Sequence, residues 1–403
     1  MDYQSLRVFS LLIIYMLLKV VGGARVNITL IPGAVSEGAV CLDGSPPGYA
    51  MDQGSGYGSY NWLIYLQGGG WCAATASCAD RAKFPLGSSL KWNTTIFFDG
   101  ILDQNRTFNP DFYNWNRVHV MYCDGSSFLG DVDEVDPETN LYYRGSRVFN
   151  AVINELLARG LNYADNVILT GGSAGGLATI LHCDGFRSLL PNAQRVKCIS
   201  DSGFFLRATN LPGVDQREDF FGRVVELHGL ANFLPATCTS RMNPDLCIFP
   251  ENLVEDIETP LFLLESSYDQ FQITELYTPN VGGRHAWKSC VNGSLGFCNS
   301  TELELLEDFH STFVQTLQDL DYSTSRGMFV HNCFRHGHIL QKDGWKCSSL
   351  VGNVLQNKTI AGAISDWYFD RNDVKYVDAS SAIRNCSSNF HGNTFERKCI
   401  GCM

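Results

Sequence analysis

The stretch at residues 167–184, VILTGGSAGGLATILHCD, limits the possible folds of this chain more than any other part of its sequence. A short apolar run ends in a glycine-rich corner, and a second apolar run of helical length follows. The corner GGSAG fits the pattern Gly-x-Ser-x-Gly, in which a serine occupies a tight, strained turn between a strand and a helix. Small neighbours avoid clashes in such a turn. We therefore predict a strand–turn–helix unit with Ser173 as a nucleophile; the alternative is an ordinary glycine-rich turn.

Further apolar runs have the length and composition of buried strands. The predicted strands are residues 62–66, 118–122, 167–170, 198–200, 260–264 and 328–331. Helix-like segments lie between some of them, for example residues 146–157, SRVFNAVINELL. Strands that alternate with helices indicate a mostly parallel sheet. In such sheets, functional sites form where the strands end, at their carboxyl edge.

Polar groups suited to catalysis follow three of these predicted strands. The loop QGGGW follows residues 62–66, and its glycines can supply backbone N–H donors to an oxyanion. A phosphate-binding loop is disfavoured because no Gly-Lys-Ser/Thr follows. Asp269 follows residues 260–264, and His336 follows residues 328–331. The order serine, acid, histidine is that of the triads that use this kind of corner, so we predict that Asp269 orients His336 and His336 takes the proton of Ser173. His338 is the alternative base.

The N-terminus and the cysteines indicate a secreted protein. An apolar run at residues 8–18 is too short to span a bilayer, so we interpret residues 1–24 as a cleaved signal peptide, the alternative being an uncleaved anchor. All 15 cysteines follow residue 24, which is typical of a disulfide-bonded extracellular protein and leaves at least one cysteine without a partner in the chain. We interpret Cys399 and Cys402 as part of a disulfide element and not of a zinc site. The possible glycosylation sites are Asn27, Asn93, Asn105, Asn292, Asn299, Asn357 and Asn385.

The amino-acid composition and net charge bear on which binding partners are expected. The chain of 403 residues is 45% hydrophobic and 18% charged, which describes a globular protein with ample material for a core. Its formal net charge is −12, and it contains no block of lysine and arginine. Broad binding to nucleic acid or to anionic membranes is therefore not expected. We also expect no stable membrane insertion once the signal peptide is removed.

Seven long strings occur in order between about residue 28 and just past residue 336. They are ITLIPGAVSEGAVCLDGSPPGY, NWLIYLQGGGWC, YCDGSSFLGD, LTGGSAGGLATILHCDGFR, VKCISDSGFF, SSYDQFQI and NCFRH. Together they resemble the pectin acetylesterase/Notum family, and most of all its plant pectin acetylesterases. The resemblance implies an α/β-hydrolase-type fold, with a mostly parallel central sheet flanked by helices and disulfide-bonded loop insertions, and it implies ester hydrolysis. Carried over by motif position, it gives Ser173, Asp269 and His336 as the catalytic residues and Gly69, Gly70 and Ala174 as the oxyanion hole.

Three departures from the family pattern lie close to these positions. The family usually has Glu where Gln67 stands, Cys where Gly172 stands, and His-Cys-Gln where this chain has His-Gly-His at residues 336–338. No residue of the triad is lost. The departures bear on substrate preference and on the rigidity of the site.

We therefore expect residues 25–403 to form one catalytic domain of a secreted, extracellular carboxylesterase that removes acetyl groups from pectin or a related cell-wall polysaccharide. No metal or organic cofactor is needed for this chemistry. The alternatives are a Notum-like deacylase of a lipid-modified protein and a catalytically inactive carbohydrate-binding homologue. Because pectin is a polyanion, we also expect Arg81 and Lys83, held by a short Cys72–Cys78 disulfide, to form a basic patch beside the cleft. The alternative is that they are two solvated surface charges.

Overall fold

A computed structural model of the protein describes residues 23–277, 290, 298–321, 323–347 and 359–383. The strands are β1 (Ala24–Leu30), β2 (Gly48–Asp52), β3 (Asn61–Leu66), β4 (Thr95–Phe98), β5 (Asn116–Val120), β6 (Asn166–Gly172), β7 (Arg195–Asp201), β8 (Leu261–Asp269), β9 (Arg326–Arg335) and β10 (Lys375–Val377). The helices are α1 (Thr75–Arg81), α2 (Gly145–Ala158), α3 (Ala174–Ser188), α4 (Val214–Leu227), α5 (Ala236–Thr239), α6 (Ser300–Gln318), α7 (Lys342–Cys347) and α8 (Ile360–Tyr368). Short 3₁₀ turns and one π-helical turn, Gln272–Tyr277, connect them.

The described strands form one sheet in the order β10-β9-β8-β7-β6-β3-β5-β2-β1-β4. Neighbours from β10 through to β5 run parallel, whereas β2, β1 and β4 extend the sheet by antiparallel pairs. The parallel strands β3, β6, β7, β8 and β9 therefore end at one edge. This edge is where the candidate catalytic residues were expected.

Apolar side chains cover both faces of the sheet. Along β6, Val167 and Leu169 join the cluster that packs against α2, α3, α4 and α6, whereas Ile168 joins the cluster on the opposite face, with α7 and α8. Successive side chains of a strand point to opposite faces, so a strand buried on both faces is apolar without alternation. This is why the short apolar runs of the sequence identified the central strands.

Four of the predicted strands ended too early, two of them by four or five residues. β8 continues to Asp269, and β9 continues to Arg335. These two residues pair with each other beyond a β-bulge that follows Ser266. Most of the added residues are polar, so hydrophobicity did not reveal that they stay paired. The strand predicted at residues 118–122 is instead Asn116–Val120.

Five disulfides join pairs of described cysteines and tie the loops to this framework: Cys41–Cys123, Cys72–Cys78, Cys183–Cys198, Cys238–Cys247 and Cys290–Cys298. The expected disulfides are thus confirmed, including the short Cys72–Cys78 link. The predicted pair Cys399 and Cys402 and nearly all of the predicted signal peptide lie outside the described residues. Among the described helices, none has the length and hydropathy needed to cross a membrane.

Candidate active site

Ser173 lies at the junction of β6 and α3 in a conformation that few residues adopt. Its φ is 59° and its ψ is −126°, so the backbone turns sharply between strand and helix. The two pattern glycines make this possible: a Cβ at Gly171 would lie 2.2 Å from the carbonyl oxygen of Gly175, and one at Gly175 would lie 2.1 Å from that of Leu66. The Ser173 N–H donates to the Asp201 carbonyl at 2.8 Å, which fixes the corner to β7.

Asp269 and His336 meet at the same edge of the sheet. Asp269 is the last residue of β8, and His336 directly follows β9. The His336 Nδ1 lies 2.7 Å from Oδ2 of the fully buried Asp269 carboxylate, and the other carboxylate oxygen accepts the Gln272 N–H at 2.8 Å. With both oxygens engaged, the carboxylate is held in one orientation and so orients the imidazole.

The surroundings of His336 suit a proton acceptor. Burial favours the neutral imidazole, but the charge and hydrogen bond of Asp269, aided by the charge of Asp201, outweigh it and raise the pKa of His336 above its ordinary value. The Phe271 ring stacks on the imidazole at 5.1 Å between centroids. The Nε2 atom is buried and has no hydrogen-bond partner among the described residues, so its lone pair is available to a hydroxyl.

The glycine loop after β3 lies directly against the serine corner. A Cβ at Gly68 would come within 2.9 Å of the Ser173 Cβ, and φ values of 145° and 66° at Gly69 and Gly70 require glycine. The Gly69 carbonyl accepts a hydrogen bond from Arg81 at 2.9 Å. A trans peptide points its N–H away from its carbonyl, so this bond also fixes the direction of the Gly70 N–H. Helix α3, which begins at Ala174, adds the positive end of its dipole beside the corner.

Arg81 and Lys83 do not form the basic patch that the sequence suggested. Arg81 donates to the carbonyls of Leu86 and Gly69 and lies 5.1 Å from the centroid of the Tyr122 ring, so its guanidinium supports the glycine loop from within. Lys83 is exposed and pairs with Asp80. The expectation failed because sequence distance from the loop does not show which way a side chain points.

An open cleft of about 710 Å³ adjoins the glycine loop. Residues 216, 219, 220 and 223 of α4, spaced three and four apart and therefore on one helix face, form one wall. They present Gln216, Asp219, Phe220 and Arg223. Trp71 and Phe271 line the cleft as well, as does the exposed Glu275. The cleft thus combines aromatic faces with polar and charged groups.

His338, the alternative base, occupies a different environment. It is 1% exposed, its Nδ1 lies 2.5 Å from Asp201 Oδ1, and its Nε2 lies 2.8 Å from His331 Nε2. Both ring nitrogens are therefore engaged within the protein. This favours His336 as the base.

The three departures from the family pattern fit the observed backbone. Gln67 Oε1 accepts the Tyr122 N–H at 3.0 Å, which an amide does as well as a carboxylate. A Cβ at Gly172 would lie 2.5 Å from the Tyr65 hydroxyl. Gly337 has a φ of 78°, in the region that favours glycine, and the space beside it is open.

Among the residues that the structure describes, two clusters have the residue types of a metal site. In the first, Cys72 and Cys78 lie beside His228, and in the second, Cys290 and Cys298 lie beside Glu302. Within each cluster the two sulfurs are bonded to each other. A disulfide sulfur is not a thiolate, so neither pair offers the ligands that a structural zinc site uses.

The sequence did not predict several residues of the site. The Tyr122 hydroxyl donates to the Gly70 carbonyl at 2.8 Å, and Phe271 stacks on His336. Asp201 ends β7 at the same edge as Ser173 and Asp269. Asp269 was predicted because it follows a strand at the carboxyl edge of the sheet. The same reasoning applies to Asp201, so the sequence did contain a signal for this residue. No comparable signal pointed to Tyr122 or Phe271.

Comparison with known proteins agrees with this architecture. Residues 21–389 match the family model described as Pectinacetylesterase. Pectin acetylesterase 11 of Arabidopsis thaliana is 42% identical over 376 residues, 93% of this chain and 95% of that protein. Pectin acetylesterase 7 of the same plant is 41% identical over 92% of this chain and 94% of its own length. Palmitoleoyl-protein carboxylesterase NOTUM of Schmidtea mediterranea is 27% identical, with 79% of this chain and 59% of that protein covered.

A solved structure, that of the Wnt deacylase Notum from Drosophila, superposes with a TM-score of 0.74. The match covers 89% of this chain and 97% of that one at 24% sequence identity. The expected α/β-hydrolase-type fold is confirmed, as is the expectation of a carboxylic ester hydrolase.

Proposed function

The chain belongs to the pectinacetylesterase family, and from that premise we propose that it removes acetyl groups from cell-wall pectin through Ser173, His336 and Asp269. The observation that carries the proposal is the Asp269–His336 hydrogen bond of 2.7 Å at the sheet edge that also bears the Ser173 corner. The bond orients the imidazole of the base at the same edge where the strained strand–helix turn carries the serine.

The reaction follows from this arrangement. Ser173 Oγ attacks the acetyl carbonyl while His336 Nε2 takes its proton, and the Asp269 carboxylate stabilises the imidazolium. The N–H groups of Gly69, Gly70 and Ala174 stabilise the negative oxygen. The imidazolium then protonates the departing sugar oxygen, so the sugar leaves with a free hydroxyl and an acetyl-serine remains. Water, deprotonated by His336, attacks that ester, acetate departs, and the proton returns to Ser173.

The character of the cleft supports a sugar substrate. Aromatic faces at Trp71, Phe220 and Phe271 suit the apolar face of a sugar ring, and Gln216 and Arg223 suit hydroxyl and carboxylate groups. A deacylase of lipid-modified proteins needs a deep apolar channel for the acyl chain, which differs from a cleft with charged residues on its walls.

We propose further that the protein is secreted to the cell wall after removal of residues 1–24, with residues 25–403 as one catalytic domain. Asn27, Asn93 and Asn299 are exposed and Asn105 is partly exposed, as glycosylation requires, whereas Asn292, Asn357 and Asn385 lie outside the described residues. No metal or organic cofactor takes part in the proposed reaction.

A substrate panel tests this function. Acetate release is measured from acetylated pectin, from acetylated xylan, and from small esters with acetyl and long acyl groups. We expect acetylated pectin and the small acetyl ester to be hydrolysed and the long acyl ester to be a poor substrate. Preference for the long acyl ester would instead indicate a lipid deacylase. Binding of pectin without hydrolysis of any ester would indicate a carbohydrate-binding homologue.

A further inference from the structure

A buried polar cluster at the end of β7 takes no part in the reaction proposed above. Asp201 is 1% exposed, and it is followed by the fully buried Ser202, whose φ is 52°. His338 and His331 pack beside them and are each 1% exposed. Burying a carboxylate and two imidazoles is costly unless each is hydrogen-bonded, so the bonds of this cluster indicate its purpose.

These residues bind the backbone on both sides of the candidate active site. The backbone N–H groups of the three residues after His336 all donate to this cluster. The Gly337 N–H donates to Ser202 Oγ at 2.9 Å. The N–H groups of His338 and Ile339 donate to Asp201 Oδ2 at 2.7 and 2.9 Å. The Asp201 carbonyl accepts the N–H of Ser173 at 2.8 Å. One residue thus connects the corner that carries the nucleophile to the loop that follows the base.

The two buried histidines fix the orientation of this carboxylate. The Cys333 N–H lies 3.1 Å from His331 Nδ1, so that nitrogen is an acceptor and the proton of a neutral His331 is on Nε2. It then donates to His338 Nε2 at 2.8 Å, which leaves the proton of His338 on Nδ1. That proton is donated to Asp201 Oδ1 at 2.5 Å. A single set of tautomers satisfies the whole chain.

We propose that Asp201 is a positioning residue, which sets His336 relative to Ser173, and that His338 holds its carboxylate in place from behind. The proposal rests on the proposed function, because it assigns His336 and Ser173 as base and nucleophile. It gives His338 a role distinct from that of the base two residues before it.

The charge of Asp201 provides a signature that a purely structural role lacks. Burial opposes its ionisation, but His338 and the N–H groups of His338 and Ile339 outweigh burial and hold the pKa of the carboxyl below its ordinary value. The resulting negative charge helps to raise the pKa of His336. Losing that charge therefore moves the acid limb of the pH–rate profile to lower pH.

Asp201→Asn tests the proposal on a small neutral acetyl ester. The amide keeps the size of the side chain but turns an N–H₂ group towards His338 Nδ1, and the fixed tautomers cannot accommodate it. We expect kcat to fall on the order of 10²-fold with KM nearly unchanged, as for a small misplacement of a base. The acid limb should also move to lower pH. Fluorophosphonate labelling of Ser173 should slow in parallel.

His338 provides a second variant that leaves the Asp201 charge in place. His338→Ala should lower kcat about 10-fold with little movement of the acid limb, and His338→Asn, which keeps a donor to Asp201, should recover much of that loss. Asp52→Asn is the control. Asp52 bonds the buried Arg117 at 2.6 Å near the opposite edge of the sheet, so this change should lower stability while kcat and the acid limb stay as in the wild type.

The outcomes separate the two proposals. If Asp201→Asn folds and keeps the kcat and acid limb of the wild type, or merely loses stability as Asp52→Asn does, the positioning role is wrong. If Asp201→Asn does not fold, His338→Ala provides the test instead. A His338→Ala protein as active as the wild type would then overturn the positioning role. A wild type that neither hydrolyses the ester nor reacts with the fluorophosphonate would overturn the proposed function, and the positioning role with it.

Discussion

Two histidines separated by one glycine illustrate how the fold assigns roles at the residue scale. The strand that precedes them ends at Arg335. His336 therefore lies at the sheet edge, whereas His338 bonds His331 of the same strand. His336 bonds the Asp269 carboxylate and leaves Nε2 available, whereas both nitrogens of His338 are engaged. The sequence offered both residues as bases, and the difference between them arises from their tertiary surroundings.

We expect His336→Ala to abolish ester hydrolysis, with a loss on the order of 10⁴-fold or more, because triad residues act as a unit. His338→Ala should retain at least a tenth of the activity. Initial rates on a small acetyl ester, with circular dichroism to verify folding, provide the measurement. An inactive His338→Ala protein beside an active His336→Ala protein would reverse the assignment of the base.

The pH dependence of activity should follow the protonation of His336. Asp269 and Asp201 raise the pKa of His336 against the effect of burial, so the imidazole stays protonated, and unable to accept a proton, to a higher pH than usual. Activity should therefore fall as the pH drops through the raised pKa, with a midpoint above the ordinary value of about 6.5. A pH–rate profile of kcat/KM measures this. A flat profile from about pH 4 to 8 would exclude a histidine base.

At the scale of elements, the site is an assembly of strand ends joined by side chains from elsewhere. The order of motifs in the sequence was enough to place Ser173, Asp269 and His336 at the ends of β6, β8 and β9, because parallel strands share a carboxyl edge. The supports of the glycine loop could not be predicted in the same way. The contacts of Arg81 and Tyr122 with Gly69 and Gly70 depend on how loops fold over the sheet.

Substitutions of two arginines should therefore have different effects on KM and kcat. Arg223 on α4 is about half exposed in the cleft, where it pairs with Asp219, and can bind a sugar carboxylate. Arg223→Gln should raise KM for acetylated polygalacturonate about 10-fold, the equivalent of one charge-assisted hydrogen bond, and leave a small neutral ester unaffected. Arg81→Gln should lower kcat for both substrates, since it loosens the glycine loop.

Arg241→Gln is a matched control for Arg223→Gln. Arg241 is equally exposed and is paired with Asp256, but it is not among the residues that line the cleft. It should behave as the wild type on both substrates. If Arg223→Gln affects the polymer and the small ester alike, the cleft does not recognise the sugar carboxylate through Arg223.

At the scale of the whole molecule, the acidic charge opposes the approach of a polyanion. The formal net charge is −12, and repulsion between like charges reaches about 30 Å at 0.01 M salt but only about 10 Å at 0.1 M. For acetylated polygalacturonate, kcat/KM should therefore rise as salt is added between these concentrations. The small neutral ester should show no such rise and is the control. A fall in polymer hydrolysis with added salt would show instead that local attraction governs the encounter.

The central claim is that Ser173 is the nucleophile of an acetyl esterase, and acetate release from acetylated pectin by Ser173→Ala tests it most directly. The comparison includes Ser188→Ala, which changes an exposed serine at the other end of α3. We predict a loss on the order of 10⁴-fold or more in a folded Ser173→Ala protein, and wild-type release by Ser188→Ala. A folded Ser173→Ala protein that releases acetate at the wild-type rate would contradict the account.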